Sequence, residues 1–129
     1  MIVVDTNIIV NFVLDGPQSK ACYALHEADS EWFAPRLWRE ECANVFATYE
    51  RKNLLPRAAL ISAFQDAENL IGLRECEIPI DRILTVAHRT GCSAYDAQYI
   101  ALAEDLDLKL YTYDKKILKV VKELAIQPS

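Results

Sequence analysis

A chain of 129 residues, 52% apolar and 26% charged, holds enough for one core of ordinary size and too little for two domains. Its formal charge of −5 counts against indiscriminate binding to a polyanion, although acids gathered in one pocket lower the net charge and leave basic rims elsewhere. No apolar run approaches membrane-spanning length, and Ile2 to Val4 lead straight into Asp5 without a basic, cleavable leader, so a cytoplasmic protein with no membrane partner is expected.

Ile2 to Val4 reads as a first strand, and Asn7 to Leu14 as a helix stopped by Asp15-Gly16. Pro17 suits the first turn of a second helix ending near Ala28, because that position needs no amide hydrogen. Glu31 to Ala34 is a short second strand. Pro35 then opens a helix to about Lys52, with Cys42, Val45, Phe46 and Tyr49 spaced along one buried face. Pro56 opens and Gly72 closes the next helix, and Glu75 to Ile78 is a third, weaker strand. Asp81 to Thr90 is helical up to Gly91, and Ser93 to Leu106 forms a helix with Tyr99, Leu102, Ala103 and Leu106 turned inward. Leu110 to Tyr113 is a strand, Lys115 to Leu124 a helix, and Ala125 to Gln127 a final edge strand. Short apolar runs alternating with longer amphipathic ones mark an α/β sandwich with a mostly parallel sheet. No stretch has the composition of an interdomain linker, a repeat or a low-complexity tract.

Cys22, Cys42, Cys76 and Cys92 contain no C-x-x-C pair, which leaves neither a zinc module nor a dithiol motif. His26 and His88 are the only histidines. His88 and Cys92 have i, i+4 spacing, but Gly91 ends the helix between them. Without a histidine base in reach of a nucleophile, serine and cysteine triads are set aside.

Four acids stand at element junctions. Asp5 and Asp114 each follow a strand and precede a helix, where an N-cap is the ordinary role. Ser93 and Asp96 have capping-box spacing, and Glu41, like Glu40, complements the positive end of its helix. In a parallel sheet, however, all strand C-termini share one edge, and ligands bind in the crevice there, so Asp5 and Asp114 face the same side. The helix before the Asp114 strand is expected to run back from the opposite edge unless it is displaced across the sheet, which leaves open whether Asp96, in its first turn, approaches Asp5. If three or four carboxylates converge, they cannot all stay ionised without compensation. A hard divalent cation resolves the repulsion, and oxygen-only ligands favour Mg2+ or Mn2+ over zinc. Phosphodiester hydrolysis is the chemistry natural to such a site.

Together, "VVDTNIIV", "EECANVF", "SAYDAQYIALAE" and "LYTYDKKIL" resemble, in order and separation, the four motifs of the PIN domain nucleases, and among them the VapC-type toxins. The resemblance covers essentially the whole chain and implies one PIN-like domain over residues 1–129. It implies a three-layer α/β/α fold whose central, mostly parallel sheet has four to five strands. It implies that Asp5, Glu41, Asp96 and Asp114 form the catalytic and metal site, with Glu41 matched in preference to Glu40 because it stands three residues before Asn44. Thr6, Asn7, Ser93 and Thr112 fall at accessory polar positions, and Arg36, Arg39 and Lys115 are candidate guides for the substrate backbone.

The implied activity is an Mg2+-dependent endoribonuclease, with Mn2+ as a substitute, that attacks with activated water and leaves 5′-phosphate and 3′-hydroxyl ends. Single-stranded or looped RNA enters such a cleft more readily than duplex. The implied partners are a VapB-like antitoxin and a second copy of the chain. Trp32, Phe33 and Trp38 are available for such surfaces, although residues of this type more often belong to the core. The competing readings are a PIN-like RNA- or protein-binding module that does not cut, and an aspartyl-phosphate phosphotransfer protein. The second is weakened because Asn7 stands where a D-x-D motif needs its second aspartate.

Overall fold

At the centre of the fold, Ile2–Val4 (β1) pairs on one side with Trp32–Pro35 (β2) and on the other with Leu110–Tyr111 (β4). In the computed structural model, which describes residues 1–129, Glu75–Cys76 (β3) and Ala125–Ile126 (β5) complete the sheet at its two edges. The order is β3-β2-β1-β4-β5, and every pairing is parallel. Val3 and Val4 are fully buried because a central parallel strand is covered on both faces, which is why its sequence is a continuous apolar run.

The pleat of β1 divides the core in two. Ile2 and Val4 pack with residues of Thr6–Val13 (α1), Ser19–Ala28 (α2), Trp38–Arg51 (α3) and Arg57–Ile71 (α4), including Ile8, Cys22, Phe46 and Leu60. Val3 faces the other way, into a cluster built largely by Ile80–Thr90 (α5), Ala94–Leu106 (α6) and Lys115–Val120 (α7). The expected α/β/α layering is therefore present, with five strands and no antiparallel pair. Trp32 and Trp38 are fully buried and belong to the core, and Phe33 is partly buried against the second cluster. His26 packs on the Phe12 and Trp32 rings, at centroid distances of 4.8 and 5.4 Å, as a core aromatic would.

Several boundaries differ from the sequence reading. Pro35 ends β2 rather than opening a helix. The parallel ladder continues past it, since the Arg36 amide donates to the Cys76 carbonyl at 3.0 Å, and α3 starts only at Trp38. Pro17 lies in the turn before α2. α7 stops at Val120, not Leu124: residues 121–124 form a turn into β5, and the Leu124 carbonyl at its end accepts from the Leu110 amide at 3.0 Å. Leu106, expected inside, is 41% exposed at the last turn of α6.

The position of Asp96 follows from a length. α6 has 13 residues and spans about 20 Å at 1.5 Å per residue, enough to cross the sheet. A three-residue connection joins it to the start of β4, so α6 ends at the strands' N-terminal edge and must begin at their C-terminal edge. No displacement of the helix is needed for its first turn to lie beside the end of β1.

Gly91 makes that entry possible by closing α5 in the left-handed region, with φ +71° and its amide bonded to the Ala87 carbonyl at 2.9 Å. An added Cβ would meet nothing within 4 Å, so Gly91→Ala carries only the backbone penalty. The expected loss is about 1 kcal/mol, seen as a melting temperature lowered by a few degrees in thermal denaturation.

Candidate active site

Asp5 is the first polar residue after the central strand, and it is only 8% exposed. Its carboxylate is nevertheless satisfied. Oδ1 accepts from the Thr6 amide at 2.7 Å, and Oδ2 accepts from the Thr112 hydroxyl at 2.7 Å. Asn7 ties the same two loops together: its Oδ1 accepts from the Tyr113 amide at 3.2 Å, and its Nδ2 reaches Asp5 Oδ2 at 3.4 Å. Thr112 also accepts from the Asp114 amide at 2.9 Å, so one buried hydroxyl connects the segments carrying two of the four acids.

The other acids come from three helices. Asp114 caps α7, with Oδ1 accepting from the Ile117 amide at 2.9 Å. Ser93 caps α6 through the Asp96 amide at 3.1 Å. The capping box is only half made, because the Asp96 carboxylate has no hydrogen-bond partner in the protein. Glu41, in the first turn of α3, has Oε1 bonded to the Tyr99 hydroxyl at 2.6 Å and to the Thr6 hydroxyl at 3.0 Å.

All four acids line one cleft of about 670 Å³ at the C-terminal edge of the sheet, with Thr6, Asn7, Asn11, Glu40, Asn44 and Tyr95 among its other walls. No lysine, arginine or histidine lines it. Burial raises the Asp5 carboxyl to about 7, and the neighbouring Glu41 and Asp96 charges add to the effect while Thr112 and Thr6 oppose it. Asp96 is also raised, first by burial and then by Asp114 and Glu41, with Lys116 acting in the opposite direction. The acids surround the cleft rather than closing on one point, and no three of them stand together at metal-ligand spacing. As a donor set they fit a hard divalent cation: every donor is an oxygen, and charge compensation is missing from the walls.

The candidate backbone guides are placed elsewhere. Arg39 is held by Glu75 at 2.7 Å and Glu68 at 2.8 Å and lies over the Trp38 ring, binding α3 to α4 and β3. Arg36 is exposed and only loosely paired with Glu77 at 3.9 Å, and Lys115 is exposed outside the cleft wall. Tyr99, in contrast, reads from periodicity as a core residue. Its ring is core, but its hydroxyl reaches the site. The available signal was its position three residues after Asp96, on the same helix face.

A sequence model of the PIN domain matches residues 2–123. The chain belongs to the PIN domain family. Among solved structures, PAE2754 from Pyrobaculum aerophilum superposes with a TM-score of 0.75 at 22% identity, over 95% of this chain and 81% of the other. FitAcB from Neisseria gonorrhoeae gives 0.70 at 18% identity, over 98% and 96%. A toxin–antitoxin complex from Klebsiella pneumoniae gives 0.69 at 16%, over 100% and 98%. At these identities the likeness establishes the fold. No curated protein sequence matches the chain. PIN domains are generally nucleases that use divalent metals, which supports a hydrolase in this case. No helix of this PIN domain is long and apolar enough to cross a membrane.

The burial of Asp5 has a measurable consequence for stability. Its folded-state pKa lies above its ordinary value of 3.8, so between pH 3.8 and about 7 the folded chain keeps a proton that the unfolded chain has released. This contribution is therefore present at low pH and lost as pH rises through about 7. In chelator at pH 8, Asp5→Asn is expected to stabilise the fold by roughly 1–3 kcal/mol and to flatten the pH dependence of the melting temperature. A variant that melts below the wild type at pH 8 would contradict this.

Proposed function

We propose that this PIN domain, one domain over residues 1–129, is a divalent-metal-dependent endoribonuclease of the VapC type. The observation that carries the proposal is the cleft wall: Asp5, Glu40, Glu41, Asp96 and Asp114 without one opposing cation. Such a surface repels a phosphodiester unless a cation lies between them. Asp5, Asp96 and Asp114, with Glu41, would hold Mg2+ or Mn2+, which when bound supplies the positive charge that accepts a phosphate and the Lewis acidity that activates water.

The remaining contributions belong to the chain. Thr112 and the Thr6 amide fix both Asp5 oxygens in one orientation. Ser93 and Asp114 complete helix caps, setting the directions from which Asp96 and Asp114 enter the cleft. Hydrolysis by water needs no 2′-hydroxyl nucleophile, which is consistent with 5′-phosphate and 3′-hydroxyl products. The open cleft suits unpaired RNA strands, whose backbone can bend into it.

The toxin reading rests on the motif resemblance, and similarity to a Klebsiella pneumoniae toxin–antitoxin complex supports a VapB-like antitoxin as partner. A homodimer is part of the same proposal. Ile80 and Leu84, one turn apart on α5 and 67% and 60% exposed, provide apolar surface for an interface. A cytoplasmic location fits an RNA substrate.

Purified protein incubated with an RNA pool and Mg2+ or Mn2+ is expected to cleave, and chelator should stop it. Asp5→Asn and Asp96→Asn should each lower the rate by about 100-fold or more while remaining folded by circular dichroism. Metal-dependent cleavage undiminished in both variants would exclude this site. RNA retention without cleavage by the wild type would favour the binding-module alternative.

A further inference from the structure

Glu41 is the one acid of the cleft whose carboxylate is held by side chains alone. Tyr99 is fully buried, and its hydroxyl lies 2.6 Å from Glu41 Oε1 and 2.5 Å from the Thr6 hydroxyl, which is itself 3.0 Å from the same oxygen. Two hydroxyl protons serve three contacts. Both can go to Oε1, or one hydroxyl can donate to the other while the second donates to Oε1. In every arrangement Glu41 Oε1 accepts at least one bond, so one face of the carboxylate is engaged and Oε2 is left for the cleft.

The contacts join three parts of the fold: α6 supplies Tyr99, α1 supplies Thr6, and α3 supplies Glu41. A glutamate has three side-chain torsions, and without a partner it samples several rotamers. A phenol anchored in the core restricts that sampling at the point where α3 enters the site. A tyrosine hydroxyl is protonated at neutral pH and so acts as a donor to the carboxylate.

We propose that Tyr99 is a positioning residue that, with Thr6, orients the Glu41 carboxylate so that a single oxygen is presented for a divalent cation. The proposal rests on the metal-site reading given above. Groups that orient ligands from behind commonly account for about 10- to 100-fold in metal affinity.

Tyr99→Phe keeps the ring and removes only the hydroxyl. The experiment measures Mn2+ binding to the metal-free, full-length protein by titration calorimetry, for the wild type, Tyr99→Phe, Glu41→Gln and the double variant. RNA cleavage is measured on the same four proteins. Tyr99→Phe is expected to bind Mn2+ at least about tenfold more weakly and to lose a similar factor in kcat, with KM for RNA within twofold. In the Glu41→Gln background, the same change should have no further effect on Mn2+ binding.

Mn2+ affinity of Tyr99→Phe within twofold of the wild type overturns the inference. So does a full additional loss in the double variant, which would mark Tyr99 as structural support acting independently of Glu41. If Tyr99→Phe fails to fold, Thr6→Val supplies the second arm: unchanged Mn2+ affinity there also overturns the inference. A wild type that binds no Mn2+ overturns both this inference and the nuclease reading. A wild type that binds Mn2+ without cutting RNA removes the nuclease reading alone, and the Tyr99→Phe comparison still decides the positioning role.

Discussion

A carboxylate buried at the end of the central strand is the constraint on which the rest of this protein depends. Asp5 lies where solvation is poor, and leaving it unpaired would cost several kcal/mol. The fold meets that cost locally, through the Thr6 amide and the Thr112 hydroxyl. Each of these partners in turn belongs to a second acid's environment. Thr6 also bonds Glu41, and Thr112 also accepts from the Asp114 amide. The two residues that satisfy Asp5 therefore also contact Glu41 and the Asp114 segment at the same sheet edge.

The arrangement conflicts with stability and is informative for that reason. Burial and neighbouring charge oppose ionisation of Asp5 and Asp96, and no basic side chain from the cleft wall relieves them. A protein selected for stability alone would pair or remove such groups. Retained in a cleft, poorly compensated carboxylates are more readily explained by a ligand that needs them. PIN domains generally use divalent metals, and every acidic donor on the cleft wall is an oxygen.

Arg39 and Tyr99 show how tertiary contacts reassign residues that sequence can only classify. Arg39 sits close to Glu41 in sequence and reads as a basic guide near the site, yet two carboxylates from other elements hold it in a structural ion-pair network. Tyr99 reads as one more apolar residue on the buried face of its helix. Its ring does pack there, but the hydroxyl extends far enough to meet Glu41 and Thr6. Both cases have the same physical basis: a long side chain's contacts are set by what its far end touches, and periodicity describes only where its Cβ points.

The sequence alone supplied the α/β layering, the buried central strand and the order of helices, and it singled out four candidate acids. These follow from local apolar patterning, from Gly91 and Gly72 at helix ends, and from motif segments whose residue types are specific in combination. Strand ends were less legible. Pro35 ends β2, and Ala125 begins β5, because of partners on neighbouring strands, Cys76 and Leu110, that local patterning does not reveal. The approach of Asp96 to Asp5 lay beyond local patterning for a related reason. It requires knowing that α6 feeds a parallel strand and therefore begins at the opposite edge from where it ends. Tertiary structure alone decided which hydroxyls hold which carboxylates, because a hydrogen bond between residues 107 positions apart leaves no trace in either local sequence.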